Sequence, residues 1–341
     1  MQAFVIDRYK GALTRREMPE PKLRPGDVLV AIQAASVNPL DVKIRDGEFK
    51  LILPYQLPLI LGNDFAGTVM AVGAEARRFK VGDAVYGRPA KDRIDTFAER
   101  IAVSENNLSL KPGSLDMKSA AALPLVALTA WQALVDRAGV KPGQKVFIHA
   151  GSGGVGSIAT QLAKHLGATV ATTVGTNSVG LAQSLGADVV IDYKKDRFEE
   201  RLRDYDVVLN SLGTDVLGKS LLVLKPGGKL ISISGPPDIA FAREIGANWF
   251  LQQIFGFLSL AIRRKAKARG VSYSFLFMRP DGEQLSRITT LVDSGVVRPL
   301  IDRVYSFDET PDAVARVESG RAKSKVVIDF GTTAPRQQPV G

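Results

Sequence analysis

The chain has 341 residues, 45% of them hydrophobic and 23% charged, which excludes wholesale disorder and makes two domains the expectation. It contains no cysteine, so disulfides, thiolate nucleophiles and thiolate metal sites are excluded together. The net charge of +10 is scattered among acids except in the run Arg263 to Arg269, and without zinc-finger spacing or an aromatic RNA-binding signature no nucleic-acid partner is expected.

The N-terminus has no cationic stretch leading into an apolar core, and no apolar run reaches the roughly 20 residues of a membrane span. A soluble, cytoplasmic protein is expected. The first third then reads as short β segments at 27–37, 66–73, 83–87 and 97–103, punctuated by Gly and Pro. Around Lys118 an Ala- and Leu-rich helical stretch begins, broken by Pro124. After it, continuous apolar strands alternate with helices: "KVFIHA", "GVGSIATQLAKHLG", "ATVATTV", a helix through "LAQSLG", "DVVI", "DVVLN", a helix to "LLVLKPGG" that stops at Pro226–Gly228, and "KLISIS". Such alternation predicts an α/β fold with a doubly wound parallel sheet. A long insertion follows Gly235, and then helix, strand, helix and strand return, with Pro311 at the start of the last helix.

Gly151, Gly153 and Gly156 form G-x-G-x-x-G between a strand and a helix. Glycines there allow a tight turn, close approach of a pyrophosphate and close helix–strand packing, while the helix N-terminus offers free amides. Ser152, Gly154 and Val155 complete the cofactor loop. The second strand of the alternation ends "TTVGTNS", without the acid that usually holds an NAD ribose, so NADP(H) is the expected cofactor, with Thr176, Tyr193, Lys194 and Arg321 as candidates around its 2′-phosphate. The two histidines, His149 and His165, read as packing or solvent-facing.

The motifs "SVNPLDVKIRDG", "LGNDFAGTV", "GDAVYG", "AALPLVALTAWQAL", "AGSGGVG" and "LGADVVIDY" together resemble the medium-chain dehydrogenase/reductase superfamily over Met1 to about Phe330. The nearest branch is the zinc-free NADPH-dependent quinone and enone (alkenal) reductases, the zeta-crystallin-like group. The resemblance implies a Rossmann-type domain at 122–280, including the insertion at 236–280. It also implies a β-rich GroES-like catalytic domain made from 1–121 and 281–331, a substrate cleft between the two, a mobile tail at 332–341 and a homodimer. Where zinc alcohol dehydrogenases of the superfamily carry a cysteine and a Gly-His-Glu, this chain has Asn38 and Gly62-Asn63-Asp64. Two amides and a carboxylate are not a tetrahedral N/S donor set, so no metal is expected.

A site without a Lewis acid suits hydride transfer to an enone, enal or quinone, whose product charge is delocalised. The resemblance implies that Asn38 and Asn63 face the nicotinamide and substrate. It implies equally that Lys43 donates to the developing oxygen charge with Asp41 pairing to it or fixing the loop, that Tyr55 is a further donor, and that Thr129 approaches the nicotinamide. The bland alternatives are amides that satisfy loop backbone and a surface Lys–Asp pair. The substrate is then a small apolar enone, enal or quinone. A quinone reductase without enone activity, and an NADPH-binding interaction or membrane-associated protein with slow turnover, are the alternatives.

The insertion "NWFLQQIFGFLSLAIRRKAKARG" reads as a helix with a narrow polar stripe at Gln252, Gln253, Gly256 and Ser259 and a cationic end. Its wide apolar arc either covers the cleft or a subunit interface, or gives 249–269 weak contact with an anionic membrane surface. The aromatic run "YSFLFMRP" after it suits the mouth of an apolar cleft.

Overall fold

The apolar runs between Lys145 and Phe275 assemble as their alternation with helices requires. The computed structural model describes residues 1–50 and 53–331, so the tail at 332–341 lies outside the described residues. Two compact units emerge, one from Met1–Leu128 joined by the chain from Arg279 onward, the other Thr129–Met278.

In the second unit six strands lie in the order Val189–Asp192, Thr169–Val174, Lys145–Ile148, Tyr205–Asn210, Leu224–Ser232 and Ser272–Phe275. All pairings are parallel. In chain order this is 3-2-1-4-5-6, the doubly wound arrangement, which places a switch point beside the first strand and the glycine-rich turn that follows it. Two readings of the sequence are corrected here. The helix expected to run to "LLVLKPGG" ends at Ser220, and Pro226, Gly227 and Gly228 belong to the strand Leu224–Ser232. Gly227 turns left-handed there (φ 81°), and the register shifts between Tyr205 and Val207, so the Pro-Gly-Gly run marks an irregularity within a strand rather than the end of a helix.

The insertion, read as one helix, is two: Trp249–Leu258 and Leu260–Ala268, meeting at Ser259. Its polar stripe is split: Gln253 is exposed, whereas Ser259 and Gln252 bond to backbone. Ser259 is buried and donates to the Phe255 carbonyl, and Gln252 bonds the Ala247 carbonyl. The aromatic run after it contributes the sheet's sixth strand, with Phe275 packed edge-on against Phe241 at 5.0 Å.

The first unit is β-rich. A seven-stranded sheet runs Ile301–Ser306, Lys325–Asp329, Asp27–Val37, Asp64–Val72, Ala84–Gly87 and Leu108–Leu110, with Arg100–Ser104 also paired to Asp27–Val37. A smaller antiparallel sheet joins Thr14–Glu17, Gln2–Ile6 and Leu59–Ile60. The core between them includes Phe4, Ile32, Phe65, Val85, Phe97 and Ile328. Both chain ends build this unit, as the fold class anticipates.

Candidate active site

Strand register brings together residues that are far apart in sequence. Ser36 lies opposite Asp64, and on the other side of the same strand Val37 lies opposite Val326, so Lys325 sits one step beyond, beside Asn38. Asp64 is wholly buried, and four donors meet its carboxylate. At Oδ2 it accepts from Ser36 Oγ at 3.0 Å, Asn38 Nδ2 at 2.9 Å and Lys325 Nζ at 3.0 Å, and at Oδ1 from the Leu125 amide at 2.7 Å. Lys325 also donates to Asn38 Oδ1. Ser36, Asn38 and Lys325 are buried too, so this is a paired and hydrogen-bonded internal ion pair. Sequence reading missed Lys325. Its only signal was the need of a buried carboxylate for a partner.

A second arm begins at Asn38, which leaves the strand and caps the short helix Pro39–Arg45. Asp41 Oδ2 accepts from the Asn38 amide at 2.7 Å, and its Oδ1 from Asn63 Nδ2 at 2.7 Å. Burial raises the Asp41 carboxyl to about 6, against those two hydrogen bonds, which pull it down. The expected Asp41–Lys43 pairing is absent. Lys43 is exposed and pairs with Glu48 at 3.0 Å. Two residues apart on a helix, the side chains point to opposite faces, and Asp41 is turned inward onto the cap.

Among the described residues, three buried polar atoms close to this corner have no partner: Asn63 Oδ1, Arg88 Nε and Thr96 Oγ1. The Arg88 guanidinium donates to the Pro89 carbonyl at 2.8 Å. Burial lowers its pKa, opposed by attraction to Tyr55, Asp64 and Asp41. Tyr55 donates its hydroxyl to the Lys91 carbonyl, and burial pushes its pKa up, so it stays a neutral donor. Among the described residues no group of three or more His, Cys, Asp or Glu converges. A zinc ion does not fit this corner: Asp64 and Asn38 Oδ1 are already engaged by the chain itself, and the one open oxygen, Asn63 Oδ1, is an amide and does not make a tetrahedral N/S donor set.

The glycine-rich turn stands in the second unit. Ala150 is left-handed (φ 52°), Gly153 caps the helix Gly154–His165, and Gly151 sits against the neighbouring strand. A Cβ on Gly151 would lie 2.1 Å from Thr172 Oγ1, and one on Gly156 2.1 Å from the Ala150 carbonyl oxygen, so both glycines are required by close packing. At Gly153 the nearest atom would be 3.2 Å away. Ser152, Gly154 and Val155 are half-buried at the mouth of this helix. The turn therefore fits a dinucleotide pyrophosphate, which would take the first-turn amides and the helix's positive end.

At the end of the second strand, Thr176 donates to Asp192 Oδ2 at 2.7 Å. Asp192 is a carboxylate that the sequence reading did not place there. It arrives on the adjoining strand, in register with Val174. The Thr176 hydroxyl holds its pKa down, helped by the Lys194 amide and the nearby Lys195. Tyr193 and Lys194 are exposed next to it, and Thr129 is buried on the helix Pro124–Trp131. Arg321 is an exposed residue of the first unit. His149 is a core residue. Burial lowers its pKa to about 3, its Nε2 lies 2.9 Å from Ser220 Oγ, and Phe147 and Phe198 pack against the ring.

Comparison with known proteins gives two family matches. The alcohol dehydrogenase GroES-like domain matches residues 24–113, and the zinc-binding dehydrogenase domain matches residues 185–328. The chain is 35% identical to the human protein named NAD(P)H oxidoreductase RTN4IP1, mitochondrial, over 96% of this chain and 89% of that one. It is 32% identical to a chloroplastic NADPH-dependent alkenal/one oxidoreductase of Arabidopsis thaliana, over 96% and 79%. Among solved structures, the quinone oxidoreductase from Coxiella burnetii superposes with a TM-score of 0.83 at 30% identity, covering 97% of this chain and 99% of that one.

Proposed function

Because the chain belongs to the medium-chain dehydrogenase/reductase superfamily, in its quinone and alkenal/enone reductase branch, we propose that it reduces the C=C bond of α,β-unsaturated carbonyls, or quinones, without a metal. It is an oxidoreductase whose cofactor is NADP(H). One observation carries the finer reading. At the position where a metal-dependent relative needs open donors, Asp64 is saturated by Ser36, Asn38, Lys325 and the Leu125 amide.

When bound, the reduced cofactor supplies a hydride. Its addition to the β-carbon drives the π pair toward the carbonyl oxygen, and a proton from water at the α-carbon completes the reduction. Delocalised charge of this kind needs hydrogen-bond donors rather than a Lewis acid. In this reading Lys43 is the donor of the first unit, and Tyr55 becomes a second one when its hydroxyl leaves the Lys91 carbonyl. Asn38, Asp41 and Asn63 act as positioning residues that fix the strand–helix corner bearing Lys43. Gly151 to Gly156 hold the pyrophosphate, with Thr176, Tyr193 and Lys194 near the adenosine ribose.

The test is NADPH oxidation by purified, chelator-treated protein with an alkenal, a cyclic enone and a para-quinone, repeated with NADH. Turnover of alkenal or enone that survives chelation and prefers NADPH supports the reading. Turnover of the quinone alone restricts the protein to quinone reduction. Activity lost on chelation and restored by zinc overturns it.

A further inference from the structure

The two helices of the insertion have an inner and an outer face. Phe255, Ser259, Ile262 and Ala266 recur at i, i+4, i+7 and i+11 and are buried, and Phe255 stacks on Phe241 at 6.0 Å. Gly256 belongs to this inner side as well, for a Cβ there would lie 2.8 Å from Ile239 Cδ1. These contacts fix the orientation of both helices on their unit.

The outer face of Trp249–Leu258 is therefore turned to solvent, and it is apolar. Trp249, Phe250, Ile254, Phe257 and Leu258 are 72%, 65%, 37%, 76% and 51% exposed, with Gln253 the one polar residue among them. Exposed large apolar side chains gathered on one face mark a surface that meets something. Directly after them, Leu260–Ala268 exposes Arg263, Arg264, Lys265 and Lys267. None of these four forms an ion pair among the described residues, and there is no acidic residue from Ile245 to Pro280.

We propose that this outer face docks the protein on an anionic lipid surface, with the aromatic stripe entering the headgroup boundary and the cationic helix lying over the acidic headgroups. Aromatic and aliphatic side chains beside a cluster of unpaired Lys and Arg are the combination that binds such a surface reversibly. The same combination argues against a second copy of this chain as the occupant. A two-fold contact through this face brings the acid-free patch against itself and leaves its cations without counter-charge. No described helix is long and apolar enough to cross a membrane, so the contact is peripheral.

The experiment is flotation of the full chain with vesicles of phosphatidylcholine alone and of phosphatidylcholine with phosphatidylserine, at low and high salt. Binding is expected on the anionic vesicles, weakening with salt, with a blue shift of tryptophan emission. The triple variant Arg263→Gln/Arg264→Gln/Lys265→Gln should lower that affinity by roughly fivefold per charge, about a hundredfold in all. Trp249→Ser/Phe257→Ser should lower it by roughly tenfold per side chain and abolish the shift, with melting temperature unchanged because both side chains are exposed. The proposal is overturned by equal affinity for both vesicles, by no flotation at low salt, or by a double variant that converts a dimer to monomers while vesicle binding persists. NADPH binding by each variant, measured alongside, keeps failure of this surface distinct from failure of the fold.

Discussion

Asp41→Asn is the sharpest probe of the buried corner, because burial and hydrogen bonding oppose each other at that carboxyl. Its pKa rises from 3.8 to about 6, worth about 3 kcal/mol between protonation states. The folded protein holds this proton more tightly than the unfolded chain does. Its contribution to stability is therefore complete below about pH 3.8 and is lost as pH rises through about 6. At pH 7 the wild type carries an ionised, desolvated carboxylate, and the amide variant does not. The variant's new amide can accept from the Asn38 N–H with its oxygen. Its nitrogen can donate to Asn63 Oδ1, now unpartnered, once the Asn63 amide turns over. The expected result is a variant more stable than wild type at pH 7, by up to about 3 kcal/mol, with the difference shrinking toward pH 4. Urea unfolding of both proteins across that range measures it. A wild type that gains on the variant from pH 4 to pH 7 would refute the argument, since it would mean that Lys325 and the hydrogen bonds outweigh burial.

Removing Lys325 tests the other arm. Lys325→Met strands the Asp64 carboxylate and should cost about 3–5 kcal/mol, whereas Asp64→Asn/Lys325→Met should recover most of that loss, as read by the same unfolding experiment. In the phosphate turn, Gly156→Ala should abolish NADPH binding and lower the melting temperature, because its Cβ meets the Ala150 carbonyl at 2.1 Å. Gly153→Ala, with 3.2 Å of room, should weaken binding without unfolding the domain, as titration and calorimetry would show. Lys43→Ala breaks only an exposed pair with Glu48, so stability should change by less than about 1 kcal/mol. If Lys43 is the donor, kcat on an enone should fall by about a hundredfold, and unchanged kcat removes it from the mechanism.

What the sequence made legible and what it hid follow from the range of each interaction. The strand Asp27–Val37 could be read residue for residue, because alternation and the flanking Pro-Gly and Asn-Pro are local signals. The parallel, doubly wound sheet of the second unit follows from local βα alternation, and the glycine turn declares itself within six residues. "LKPGG" misled for the same reason. Its local chemistry is that of a helix stop, and only the pairing of Leu224 and of Lys229–Ser232 on either side of it carries it within a strand. The partner of Asp64 is 261 residues away in sequence, and Asp192 reaches Thr176 only because two parallel strands are in register. The outer stripe of the insertion was hidden in another way. Hydrophobic periodicity shows that one arc is apolar and leaves open whether it covers the cleft, a subunit interface or a membrane surface. The inner contacts of Phe255, Gly256, Ser259, Ile262 and Ala266 settle which side faces the unit and leave Trp249 and Phe257 outward. A helix that presents its largest apolar side chains to solvent beside unpaired cations has been oriented for a partner other than its own core.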